Sequence, residues 1–224
     1  MSHRTTSHLI ETLGDEVDRC RREVIASIDD GEVGPNGDVC ADYEYHARQL
    51  IRSIFAFIEA VVFSMKVKAV EYCPKRNVQL SDAERFLAVD IEHVLSEKGE
   101  IVGRPAHIRL ADNIRFAFAL QERALGVAKQ FDPSTGWWSC LKLSIKVRDR
   151  LTHPKLPGDI DVAGPEIIAA LKAYKGFSNQ AIIYADLRDE KKRAETGRGA
   201  VNHKTDSQKA KMPPRRRNKR GGNA

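Results

Sequence analysis

The chain has 224 residues, 42% of them hydrophobic and 30% charged, which suits one domain with a full apolar core and excludes a low-complexity composition. Its net charge of +6 is local: residues 194–224 hold nine basic residues against two acids, so the first 193 residues carry a net −1. Cys20, Cys40, Cys73 and Cys140 are far apart and form no C-x-x-C pair, which argues against a zinc cluster and against a secreted disulfide scaffold. The N-terminus lacks the apolar core of a signal peptide. The most apolar segment, 54–63, is interrupted by Glu59 and is far short of the ~20 residues a spanning helix needs. A soluble, cytoplasmic protein with no membrane partner is expected.

Residues 8–30 carry Leu9, Leu13, Val17, Val24 and Ile28 at helical spacing and predict an amphipathic helix, closed by the Gly- and Pro-rich stretch 31–37. The strongest helical pattern spans 38–73, with Asp38 as a fitting N-cap and Pro74 as its end. Its stripe is Tyr43, Ala47, Leu50, Ile54, Ile58, Val61, Met65 and Ala69. Phe55, Phe57, Val62 and Phe63 widen that stripe, so the helix is either central or shared between a core and a second interface. Ser81 and Glu84 match a capping box opening a helix to about Glu97. Residues 98–107 read as a connector with a short extended piece.

Leu110, Ile114, Ala117, Phe118 and Leu125 predict a helix ending near Lys129. After the turn at 132–136, Trp138, Leu141 and Ile145 mark another, which stops near Pro154. Pro165 suits the first turn of a last helix, kinked at Gly176 and continuing to about Arg193. With no sustained strand alternation, the expectation is an all-α bundle of five or six helices. A helical domain would occupy 1–193, followed by a disordered basic tail at 194–224.

The segment Arg148-Asp149-Arg150-Leu151-Thr152-His153, followed by Pro154, places an Arg and a His at the end of a helix. Arg can hold a phosphate and His can move a proton near neutral pH, a minimal set for cutting RNA. The spacing alone says little, since Arg198 and His203 repeat it in the tail. Context favours the first pair. The stripe 138, 141, 145 runs beside 148, so Arg148 should face a pocket or an interface. His153 would cap a helix C-terminus, where the dipole suits a cation, and Asp149 stands ready to orient one of its neighbours. Residues five apart on a regular helix lie about 140° apart. A shared site therefore requires the last turn to unwind, or two subunits to meet.

Arg, a polar residue and His at this spacing, ending a late helix of an all-α domain, resemble the HEPN superfamily (higher eukaryotes and prokaryotes nucleotide-binding). The run 43–52 is loosely similar to the long core helix of small bacterial members, and the resemblance covers about 38–190. It implies a HEPN-like bundle of four core helices plus one or two accessory helices. It also implies a homodimer whose two motifs face one cleft, and metal-independent endoribonuclease activity in a toxin–antitoxin or antiphage-defence setting. A neutralising antitoxin-like protein is an expected partner in such a setting. By the resemblance, Arg148 and His153 are the catalytic pair and Asp149 supports them. His153 would take the 2′-OH proton or protonate the 5′-oxygen, and Arg148 would hold the scissile phosphate. The products would be a 2′,3′-cyclic phosphate and a 5′-OH, with DNA left uncut. No cofactor and no metal are implied.

Lys142, Lys146, Arg150 and Lys155 surround the motif and are RNA-backbone candidates, though a solvated helix face has the same composition. Arg215, Arg216 and Arg217 belong to a solvated basic run able to bind nucleic acid without sequence choice. His46 and Arg48 fit a surface better than the cleft, and His93 fits an exposed helix position. Trp138 reads as core and Trp137 as a partly exposed neighbour. The alternative to a ribonuclease is a non-catalytic HEPN-like module for dimerisation or for nucleic-acid or nucleotide binding.

Overall fold

A computed structural model of the chain describes residues 3–29 and 41–209. The chain divides into two compact units, Met1–Tyr184 and Ala185–Ala224. Most of the described residues are helical, and a two-stranded sheet is added to the expected all-α plan. No described helix is long and apolar enough to cross a membrane.

Helix α1 (His3–Asp29) packs along α2 (Ala41–Tyr72), burying Val17, Cys20 and Val24. The expected cap Asp38 lies outside the described residues. The wide apolar band of α2 is taken up within one chain. Ile51, Ile54, Phe55, Ile58, Val62 and Met65 are all buried, and α2 packs against α1, α4 (Leu110–Leu125) and α5 (Gly136–Thr152). The second interface that the band seemed to allow is therefore not needed to explain it. Pro74 ends α2 as expected by turning the chain into a 3-10 segment, Cys73–Arg76, closed by Asn77 in the left-handed region.

The Ser81–Glu84 capping box is present, with Ser81 N–H donating to Glu84 Oε2 at 2.9 Å. The helix it opens, α3 (Asp82–Ala88), is much shorter than the expected run to Glu97. Asp90 takes φ +55, which stops the helix, and the next residues form an antiparallel hairpin. Its strands are β1 (Ile91–Leu95) and β2 (Ile101–Pro105), paired Ile91 to Pro105 and Leu95 to Ile101. Ile91, His93 and Leu95 alternate with Glu92 and Val94, a pattern too brief to outweigh the helical one. His93 accordingly sits on a strand, its ring tilted against Phe86 with centroids 4.1 Å apart, and not on a helix. The chain closes the hairpin base with Ala106 N–H donating to the Asp90 carbonyl at 2.8 Å.

Helix α4 ends at Leu125, earlier than Lys129, because Gly126 adopts φ +60. Its N–H and that of Val127 close back on the Arg123 and Glu122 carbonyls, a Schellman ending. Glu122 then acts as a hub. Its Oε1 accepts from Gln130 N, Phe131 N and the buried Tyr184 hydroxyl, the last at 2.7 Å. Burial, reinforced by Glu122, pushes the Tyr184 hydroxyl well above its ordinary pKa.

The last helix, α6 (Gly164–Lys209), is unbroken at Gly176, where a kink was expected. The residue has another use: a Cβ there would lie 2.3 Å from Trp137 Cβ and Cγ, so glycine lets α6 approach α5. Trp138 is core and Trp137 half-buried, as expected. In the second unit the described residues stay helical to Lys209, where an irregular tail was expected from Ala194. No proline interrupts the chain between Pro165 and Pro213, and the run 184–195 is rich in good helix formers.

Two outcomes follow. Gly176→Ala should destabilise the protein by about 2 kcal/mol, since the obstructing Trp137 atoms adjoin its backbone and cannot swing away; denaturant unfolding measures it. Arg123 first, then the Ser81 cap, hold the Glu84 carboxyl down from 4.5 to about 2. A depressed carboxylate stabilises the fold above its unfolded pKa and loses that contribution as pH falls toward the folded one. The stability gap between wild type and Arg123→Gln should be constant above about pH 4.5 and narrow toward pH 2, as read by thermal melts.

Candidate active site

A groove of about 680 Å³ opens between α2, α4, α5 and the hairpin base. On α5, Lys142, Ile145, Lys146 and Asp149 follow the i, i+3, i+4, i+7 spacing of one helix face, and all four line the groove. Arg148 lines it too. It is 28% exposed, and its guanidinium carbon lies 5.6 Å from the centre of the Phe55 ring. The expectation that Arg148 faces a pocket beside the 138–141–145 stripe is met.

Both ends of that guanidinium are engaged. One donates to Asp149 Oδ1 at 3.0 Å, in line with the orienting role expected of Asp149; the other donates to Glu59 Oε1 on α2. Glu59 and Asp149 are about half exposed, so water screens these pairs and they contribute little to stability. An incoming anion can replace them.

His153 is placed differently. Helix α5 keeps its α geometry through Thr152, and the backbone departs only at His153 (φ −129, ψ 59). Its N–H still donates to the Asp149 carbonyl at 3.0 Å. The last turn has not unwound. Pro154 and the N–H groups of Lys155 and Leu156, both held by Asp159 Oδ2, fix the exit of the chain. The imidazole is exposed, has no partner among the described residues and is not part of the groove lining. One protomer therefore does not bring Arg148 and His153 into one pocket.

The remaining candidates divide. Lys142 and Lys146 reach the groove; Lys155 is exposed outside it. Arg150 is a strut and not a free RNA contact. It donates to Glu166 Oε1 and Oε2 at 2.9 and 2.8 Å and to the Asp161 carbonyl, tying α5 to the start of α6. That pairing raises the Arg150 pKa and lowers that of Glu166. Arg215, Arg216 and Arg217 lie outside the described residues. His46 sits 3.4 Å from Glu23 of α1, away from the groove lining, and Arg48 pairs with Glu44. Among the described residues no three His, Cys, Asp or Glu side chains gather as metal ligands.

Sequence reasoning passed over Glu59, Asp90, Arg109 and Asn113 in the lining, and Lys66 beneath it. Glu59 and Lys66 did carry a signal, each being a charge inside the apolar core of α2. The Lys66 side chain is fully buried. Its ammonium donates to the Leu87 carbonyl at 3.2 Å, to Asn113 Oδ1 at 2.8 Å and to Asp90 Oδ1. Burial pushes its pKa down, and the Asp90 carboxylate pulls it back up. Asp90 tolerates φ +55 as short polar residues do, so Asp90→Asn keeps the backbone and removes only the counter-charge. That variant should lose about 2 kcal/mol of stability and speed amide exchange at the hairpin base; equilibrium unfolding and hydrogen exchange measure the two effects.

No family model matches the chain, and no curated protein or solved structure matches it.

Proposed function

We propose that the chain is a HEPN-type, metal-independent endoribonuclease that acts as a homodimer. The observation that carries this reading is the Arg148 guanidinium in a groove with further cations, on the helix that ends with an exposed, unpartnered histidine before a proline. Since the two side chains do not meet within one protomer, the working site takes Arg148 and His153 from two copies. His153 removes the 2′-OH proton or delivers one to the leaving 5′-oxygen. Arg148 exchanges its carboxylate partners for the scissile phosphate and stabilises the added charge of the phosphorane. The attacking 2′-oxygen bonds to phosphorus as the 5′-oxygen bond breaks, leaving a 2′,3′-cyclic phosphate.

A second reading, a non-catalytic module for RNA or nucleotide phosphates, is favoured by the engagement of Arg148 at both ends. Cleavage of an RNA pool in EDTA separates the two. The ribonuclease should cut RNA and not DNA. His153→Ala should reduce the rate by at least about 100-fold while leaving RNA binding intact. Equal rates in wild type and His153→Ala would exclude the catalytic reading.

A further inference from the structure

The charges of the groove do not balance, and the imbalance is one-sided. Its three carboxylates are all paired with cations of the protein: Glu59 and Asp149 with Arg148, and Asp90 with Lys66. Its other cations, Arg109, Lys142 and Lys146, have no such partner among the described residues. Three unpaired cations against the one carboxylate that Arg148 leaves uncompensated give a surplus of two positive charges. Lys142 and Lys146 stand on α5, and Arg109, a few residues after the hairpin base, is the N-cap of α4 and offers the first helical turn no side-chain acceptor. The lining also has an apolar part. Ala106, Ile108 and Ile145 are half-buried, so their faces are open to a ligand.

We propose that the groove binds a second nucleotide of a single-stranded RNA, next to the one whose phosphate sits on Arg148. Its phosphate lies on Arg109, Lys142 and Lys146, and its base rests on Ile108 and Ile145. The inference rests on Arg148 as the ligand of the scissile phosphate, and it adds what the enzyme grips beyond the cut. A paired strand hides the faces of its bases, so the apolar lining selects an unpaired segment. The buried Lys66 ammonium holds the hairpin base and Asn113 in place, so this wall is formed before RNA arrives.

The test uses the full chain and a short 2′-O-methyl oligonucleotide, which binds but is not cut, read by fluorescence anisotropy. Arg109→Gln and the double variant Lys142→Gln/Lys146→Gln should each raise Kd about tenfold, and the double variant should lower the slope of log K against log salt by about 1.5. Arg22→Gln, an exposed cation of α1 outside the groove lining, should bind like wild type, and thermal melts should show all variants folded. Groove variants that bind no worse than Arg22→Gln would overturn the proposal. So would a blunt duplex, or ADP, that displaces the oligonucleotide as well as unlabelled single strand does. Cleavage lost in His153→Ala with unchanged binding in the groove variants would remove this inference alone. Weakened binding in the groove variants, with cleavage indifferent to His153, would remove the catalytic reading and leave the subsite standing.

Discussion

One buried ammonium ties together the segments that build the groove. Lys66 projects from the central helix, and its three acceptors come from the end of α3, the root of the hairpin and the first turn of α4. An unpaired charge at that depth would cost several kcal/mol, so the three acceptors are held together by the cost of leaving any one out. A two-stranded hairpin is marginal alone, and this one exposes Leu95 and Ile101 near its tip. Its order at the root comes from the Lys66–Asp90 pair and the backbone bond from Ala106. The position of Arg109 follows, because only the few residues after that root separate it from the anchored Asn113.

Helix α5 sets the other wall, and its regularity decides what one chain can do. The helix stays α-helical to Thr152, with Arg150 braced against Glu166 and Leu151 buried. That bracing fixes the azimuth of Arg148 and, through it, of His153. Five residues of unbroken helix turn the two side chains onto different sides, so the rigidity that aims the arginine also keeps the histidine out of the same pocket.

Much of this was legible in the chain. The periodic stripes located the long helices, Pro74 and Pro154 marked two of their ends, and Ser81 with Glu84 marked a start. The pocket-facing placement of Arg148 followed from its neighbours at 138, 141 and 145. Three features were not legible, for local reasons. The helix after Ser81 was extended across Asp90, because a left-handed backbone at an aspartate has no compositional mark. Gly176 read as a kink because its real use, room for Trp137, depends on a residue of another helix, α5. Arg150 looked as available as Lys142 and Lys146 until Glu166, from another helix, was seen to occupy it. Pairing across elements separates binding cations from structural ones, and periodicity along one element does not record it.

The carboxylates on Arg148 bear on more than its resting position. An arginine already neutralised gains little by exchanging a carboxylate for a singly charged phosphodiester, since one monoanion replaces another. It gains more from a phosphorane, which carries an additional negative charge. On the ribonuclease reading, Glu59 and Asp149 therefore discount the affinity for substrate without equally discounting that for the transition state, and such differential binding is what accelerates a reaction. On the same reading, idle RNA would pass through the groove with little hold from Arg148, and the arginine would commit its full charge only as the bond to phosphorus forms.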